Sequence, residues 1–297
     1  MDRFEVRHPW RLTAVGGGTL LVVGHDVELC AYDLGTGALV AESGERFPGI
    51  NGIAPCDGVD GRPVVAVATE DGVAWWDPVS GGRPHEDDEV STLWGVAAAA
   101  MPDGSVRLFG AAHGHPWPVH CWDAATGREL DPVGFHDCCV MAVAVVPLPD
   151  GPIVASADEA GVIRRWRADG GGEVGGALEI DEVRAMAGLV PADGRGLLAA
   201  ADESGRVYRW NAITGERLGE PIEAGGPLVT LSAATVRGRP ELLTVGVDRA
   251  VRRWDALTGA PVGEPHAGWD AALFEAGGAC LLAASQPDGT VRLYYQS

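Results

Sequence analysis

Short, almost wholly apolar runs recur along the chain: VVAVAT at 64–69, IVASA at 153–157, LLAAA at 197–201 and LLTVG at 242–246. Each has the length of a strand buried on both faces, whereas a helix requires a longer stretch with apolar positions three and four apart. Their small side chains suit inner strands crowded around a narrow ring. A polar turn follows each run, and then a segment that alternates apolar with polar residues. In DESGRVYRWNAITGERLGE (202–220) the turn falls at Glu203 to Gly205, the alternating strand at Arg206 to Trp210, and a second turn at Ile213 to Gly215, after which another strand begins. The pattern predicts strands and turns throughout.

This unit repeats. Its strand-ending aromatic stands at Tyr32, Trp76, Trp122, Trp166, Trp210, Trp254 and Tyr294, spaced by 44, 46, 44, 44, 44 and 40 residues; a period of roughly 40 to 45 residues is that of a four-stranded propeller blade. Strands are predicted over 12–15, 19–23, 27–32 and 38–41 in the first unit, and over 271–274, 280–284 and 290–295 in the last, which lacks a fourth. The alternating segment Phe4 to Arg7 precedes the first unit. Pairing it with Val291 to Tyr295 is expected to complete the last blade and remove an exposed edge. Glycines at 16–18, 104, 151, 194 and 277–278 mark the hairpins between first and second strands.

Asp follows the anchor at Asp33, Asp77, Asp123 and Asp255, three times directly after Trp. With the sustained period, this pattern resembles the WD-repeat β-propeller family over essentially all 297 residues, as one domain. The resemblance implies an all-β fold, a seven-bladed β-propeller of four-stranded antiparallel blades closed by the N-terminal strand. It also implies structural hydrogen bonds from a histidine to an aspartate in the turn before the anchor strand: His8 with Asp26, His136 with Asp158, and His266 with Asp288. Members of the family commonly bind proteins or peptides on one face.

The formal charge is −20, and the 22 basic residues are all Arg. We read the absence of Lys as codon bias; the acidity argues against nucleic acid, which needs a basic surface, and favours basic partners. The 43 Gly and 20 Pro gather at turns rather than in disordered tracts. Six cysteines without Cys-x-x-Cys spacing fit a reduced, cytoplasmic setting. The start MDRFEVRHPW has no apolar leader core, and no run approaches the roughly 20 apolar residues of a membrane span.

Cys138-Cys139 beside His136-Asp137, and His113, His115, His120 and Cys121, raise metal or thiol chemistry. Neighbouring strand residues such as His120 and Cys121 point to opposite faces, so no metal, cofactor or catalytic residue is expected. Five of the ten tryptophans are anchors. Of the others, Trp10, Trp94 and Trp269 stand at the start of the first strand of blades one, three and seven, where the resemblance puts the mouth of a central channel, together with Arg184 of blade five. Acidic residues Glu86, Asp87, Asp88 and Glu89, and Glu179, Asp181 and Glu182, fall in the connections into blades three and five; they form either a charged lip or ordinary solvated loops. The expected function is a non-catalytic scaffold for a protein or peptide, monomeric or within a larger complex. The other class is a small-molecule-binding or enzymatic propeller using the central pocket.

Overall fold

The computed structural model describes residues 3–5, 11–25, 27–57, 62–88 and 90–296, which form seven four-stranded antiparallel sheets and no helix. In six sheets four consecutive strands, a to d, lie side by side from the axis outward. The seventh is built from Ala271–Ala276, Ala279–Ser285, Thr290–Gln296 and, as its outer strand, Arg3–Glu5. Phe4 pairs with Val291 and Glu5 with Thr290, so the chain's two ends close the ring as the alternation of Phe4 to Arg7 predicts. Residues 6 and 7 lie outside the described residues. Strand a of each blade packs against strand a of the next all the way round, which makes the molecule a seven-bladed β-propeller.

Seven buried apolar clusters fill it, one between each pair of neighbouring blades. Between blades four and five, for example, Ala155, Ala157 and Ile163 meet Leu198, Ala200 and Trp210. Each sheet is therefore apolar on both faces, which is why strand b reads as a continuous apolar run.

The recurring turn after the anchor has a local cause. The Asp33 carboxylate accepts the N–H and the hydroxyl of Thr36, both at 2.7 Å, and Asp123 and Asp255 hold Thr126 and Thr258 in the same way. The next residue must turn left-handed: Gly37, Gly127 and Gly259 have φ of +71°, +70° and +77°, which glycine adopts without steric penalty.

One device escaped the sequence reading. The residue before the anchor in blades four and five is a buried arginine that staples its blade to the next. Arg165 donates to the carbonyls of Ala212 (3.0 Å), Ile213 (3.2 Å) and Gly176 (2.7 Å). Arg209 repeats the arrangement with Ala256, Leu257 and Glu220.

Of the three histidine–aspartate pairs, the structure forms His136–Asp158. Trp166 Nε1–H donates to Ser156 Oγ (2.7 Å), the Ser156 hydroxyl to His136 Nε2 (2.7 Å), and His136 Nδ1–H to Asp158 Oδ2 (3.0 Å), all buried. A carboxylate only accepts, so it fixes this tautomer. Desolvation, the largest influence on His136, lowers its pKa and favours the neutral ring. The His266–Asp288 pair is a correction: His266 lies against the Tyr294 ring at 4.1 Å, and Asp288 accepts the N–H and hydroxyl of Thr290. Asp158 ends strand b and points inward, whereas Asp288 sits within the turn itself and holds that turn. His8 and Asp26 lie outside the described residues.

Candidate functional site: the mouth of the central channel

Strand a begins irregularly in four successive blades. Pairing with strand b skips one residue between Leu93 and Gly95, Val140 and Ala142, Val183 and Ala185, and Leu228 and Thr230. A bulge leaves the extra residue unpaired and re-aims its side chain. The four so displaced, Trp94, Met141, Arg184 and Val229, line the mouth of a cavity on the propeller axis together with Asn51 of blade two. Trp94 and Val229 are 41% and 46% exposed.

In blade seven the equivalent residue is Trp269, whose N–H meets Ser285 O as that of Asn51 meets Ala68 O. Trp269 is half-exposed, and the Arg249 guanidinium lies 4.0 Å from its ring centroid. The structure thus brings Trp94 and Arg184 together at the channel, and sets Trp269 at the matching position of its own blade beside Arg249 rather than in the cavity lining. Trp10 lies outside the described residues.

One step deeper, the equivalent positions are Arg11, Gly52, Gly95, Ala142, Ala185, Thr230 and Asp270 around a cavity of about 260 Å³. Polarity is confined to one side, blades six, seven and one. Asp270 is buried there, accepting the Leu12 N–H of blade one (2.8 Å) and the Thr230 hydroxyl of blade six (3.2 Å), so its carboxyl ties three blades together. Arg11 Nη2 donates to Asn51 O at 3.0 Å.

Desolvation raises the Asp270 pKa to about 6, against a partial lowering by Arg11 and the hydrogen bonds. A carboxyl raised on folding contributes stability that is present below its unfolded pKa and lost as pH rises through the folded value. Wild type should therefore gain about 1 kcal/mol relative to Asp270→Asn between about pH 7.5 and about pH 5. Denaturant melts of both proteins at the two pH values test this, and an equal response would remove the assignment. The comparison is needed because other carboxyls act oppositely: hydrogen bonds lower Asp33, Asp193 and Asp248, whose contributions fade in acid.

The acidic run is only partly a loop. His85–Asp87 is strand d of blade two, and the Asp87 carboxylate accepts Trp122 Nε1–H at 2.7 Å. Asp87 is therefore part of the packing between blades two and three and not of a lip, because the strand's pleat turns it toward the next anchor. Glu86 and Asp88 are exposed, and Glu89 lies outside the described residues. Glu179 ends strand d of blade four; Asp181 and Glu182 are exposed, and Glu182 pairs with Arg184 at 2.7 Å.

Among the described residues no three His, Cys, Asp or Glu side chains converge on a common metal position. His120 binds Glu129 at 2.7 Å, and burial raises the Cys121 thiol to about 11, away from the thiolate that chemistry requires. Arg11, Met141, Val229 and Asp270 were not singled out in sequence; the repeat register, once the anchors are aligned, is the signal that finds them. No family model matches this chain, and no curated protein matches it.

Proposed function

We propose that the protein is a WD-repeat-like, non-catalytic interaction scaffold, working in the cytoplasm, whose channel-mouth face holds a protein or peptide. The observation that carries this reading is the repeated bulge, which turns Trp94, Met141, Arg184 and Val229 toward one mouth. Trp269 of blade seven and Val247 of blade six are exposed as well. Aromatic and arginine side chains are the residue types that dominate binding energy at protein interfaces, and contiguous exposed apolar surface marks such sites.

Exposed Asp88, Asp181 and Glu182 flank this surface on a chain of net charge −20. That favours a partner presenting Arg or Lys beside apolar groups, through cation–π contact and electrostatic steering. The test begins with a pull-down from the source organism, followed by titration of the purified partner. Trp94→Ala and Trp269→Ala should each weaken binding by about 2 kcal/mol while leaving the melting temperature unchanged. Unaltered affinity in the double variant would remove this face from the function.

A further inference from the structure

We propose that the channel beneath this face is itself a binding site for a small carboxylate with an apolar body, of the phenylalkanoate class. Three observations carry it. The first is the division of the wall. Blades six, seven and one contribute Thr230, Asp270 and Arg11, while the equivalent positions of blades two to five are Gly52, Gly95, Ala142 and Ala185. Small residues leave room on that half, and Val96, Val143 and Met186 supply an apolar surface there below Trp94. A ligand matched to this channel has one polar end and one apolar end.

The second observation is the state of Arg11. Its guanidinium is partly buried in the channel wall, and its hydrogen bond goes to a backbone carbonyl, Asn51 O. Among the described residues no carboxylate lies within the 4.0 Å ion-pair distance of it. Asp270 attracts it electrostatically, but the Asp270 oxygens are committed to Leu12 N–H and the Thr230 hydroxyl. The remaining N–H groups of a guanidinium form a planar fork that fits a carboxylate bidentately, and partial desolvation strengthens that attraction. A guanidinium with no carboxylate in direct contact among the described residues is thus placed in the channel wall, where an incoming carboxylate can take its open N–H groups. Arg184, paired with Glu182 at the mouth, is not required for it.

The third observation is free space. A Cβ built on Gly95 meets nothing within 4 Å, and its backbone is not left-handed, so a side chain there extends into the open channel without straining the fold. Gly95→Leu is therefore a plug that tests occupancy independently of Arg11.

The experiment titrates the full chain by calorimetry with 3-phenylpropionate and with its uncharged counterpart 3-phenylpropionamide. Wild type should bind the carboxylate saturably and at least about tenfold more tightly than the amide. Arg11→Gln should erase that preference, and Gly95→Leu should abolish binding of both at a wild-type melting temperature. The proposal is overturned if the amide binds as well as the carboxylate, if folded Gly95→Leu still binds, or if no saturable binding occurs up to about 10 mM. Should Arg11→Gln fail to fold, the wild-type preference and the Gly95→Leu result decide it. None of these readouts depends on the partner of the outer face, which is scored separately through Trp94 and Trp269.

Discussion

A chain that starts at residue 6 is expected to melt well below the full-length protein and to self-associate. Arg3–Glu5 is the outer strand of blade seven, paired with Thr290–Gln296 at Arg3↔Arg292, Phe4↔Val291 and Glu5↔Thr290. Its removal strips a ladder of backbone hydrogen bonds from that strand and leaves an unpaired edge, a template for pairing with another chain. The strand so exposed carries Val291, which is fully buried in the cluster between blades seven and one. Since one large apolar side chain contributes roughly 1.5 to 3 kcal/mol when buried, the total loss should be several kcal/mol. The ring need not fall open, because Asp270 still holds Leu12 across the same seam on the channel side. The inner latch predicts that Asp270→Ala added to the truncation lowers the melting point further. Equal melting temperatures and a monomeric truncated chain on size exclusion would contradict closure by this strand.

His136→Ala should cost about 3 kcal/mol, the upper end of the loss expected when buried polar groups, one of them a carboxylate, are left without their hydrogen-bond partner. The variant strands the Asp158 carboxylate, 3% exposed, and breaks the hydroxyl relay that also satisfies Ser156 and the Trp166 indole. Asp158 retains the N–H groups of Ala160 and Val162, so the turn should survive while the link from strand d of blade three to blade four is lost. Trp166→Phe, which removes only the far end of the relay, should cost about 1 to 2 kcal/mol, as for a buried group left without its partner. Urea unfolding of the two variants provides the ranking. A loss below about 1 kcal/mol for His136→Ala would mean that the buried relay contributes no more than an ordinary hydrogen bond.

Much of the propeller was legible because its determinants are local and repeated. The anchor spacing and the strand-b runs each follow from a few neighbouring residues, and so do the turns that Asp33, Asp123 and Asp255 hold, although the sequence pattern marked these aspartates only by their place after the anchor. Closure was legible for a related reason: a last unit short of one strand and an unassigned strand at the start have one economical solution. The candidate site was legible only in outline. Trp94 and Arg184 come from counting positions against the repeat, but the bulges that aim them, and the Met141 and Val229 that join them, depend on strand pairing.

The amino-acid order by itself determined the strand content, the sevenfold period and the ring's closure, since period-two alternation and turn chemistry act within a few residues of one another. Tertiary structure alone decided the partners of several other polar groups. Asp87 was expected in an acidic connection and instead serves Trp122 in the next blade; Asp288 was expected to pair with His266 and holds its own turn; Arg165 and Arg209, which the sequence pattern did not single out, staple neighbouring blades. Asp270 meets Leu12 across 258 residues. Such partners are chosen by the angle at which neighbouring sheets pack around the axis, and a half-turn of pleat decides whether a carboxylate faces water, its own turn or the next blade.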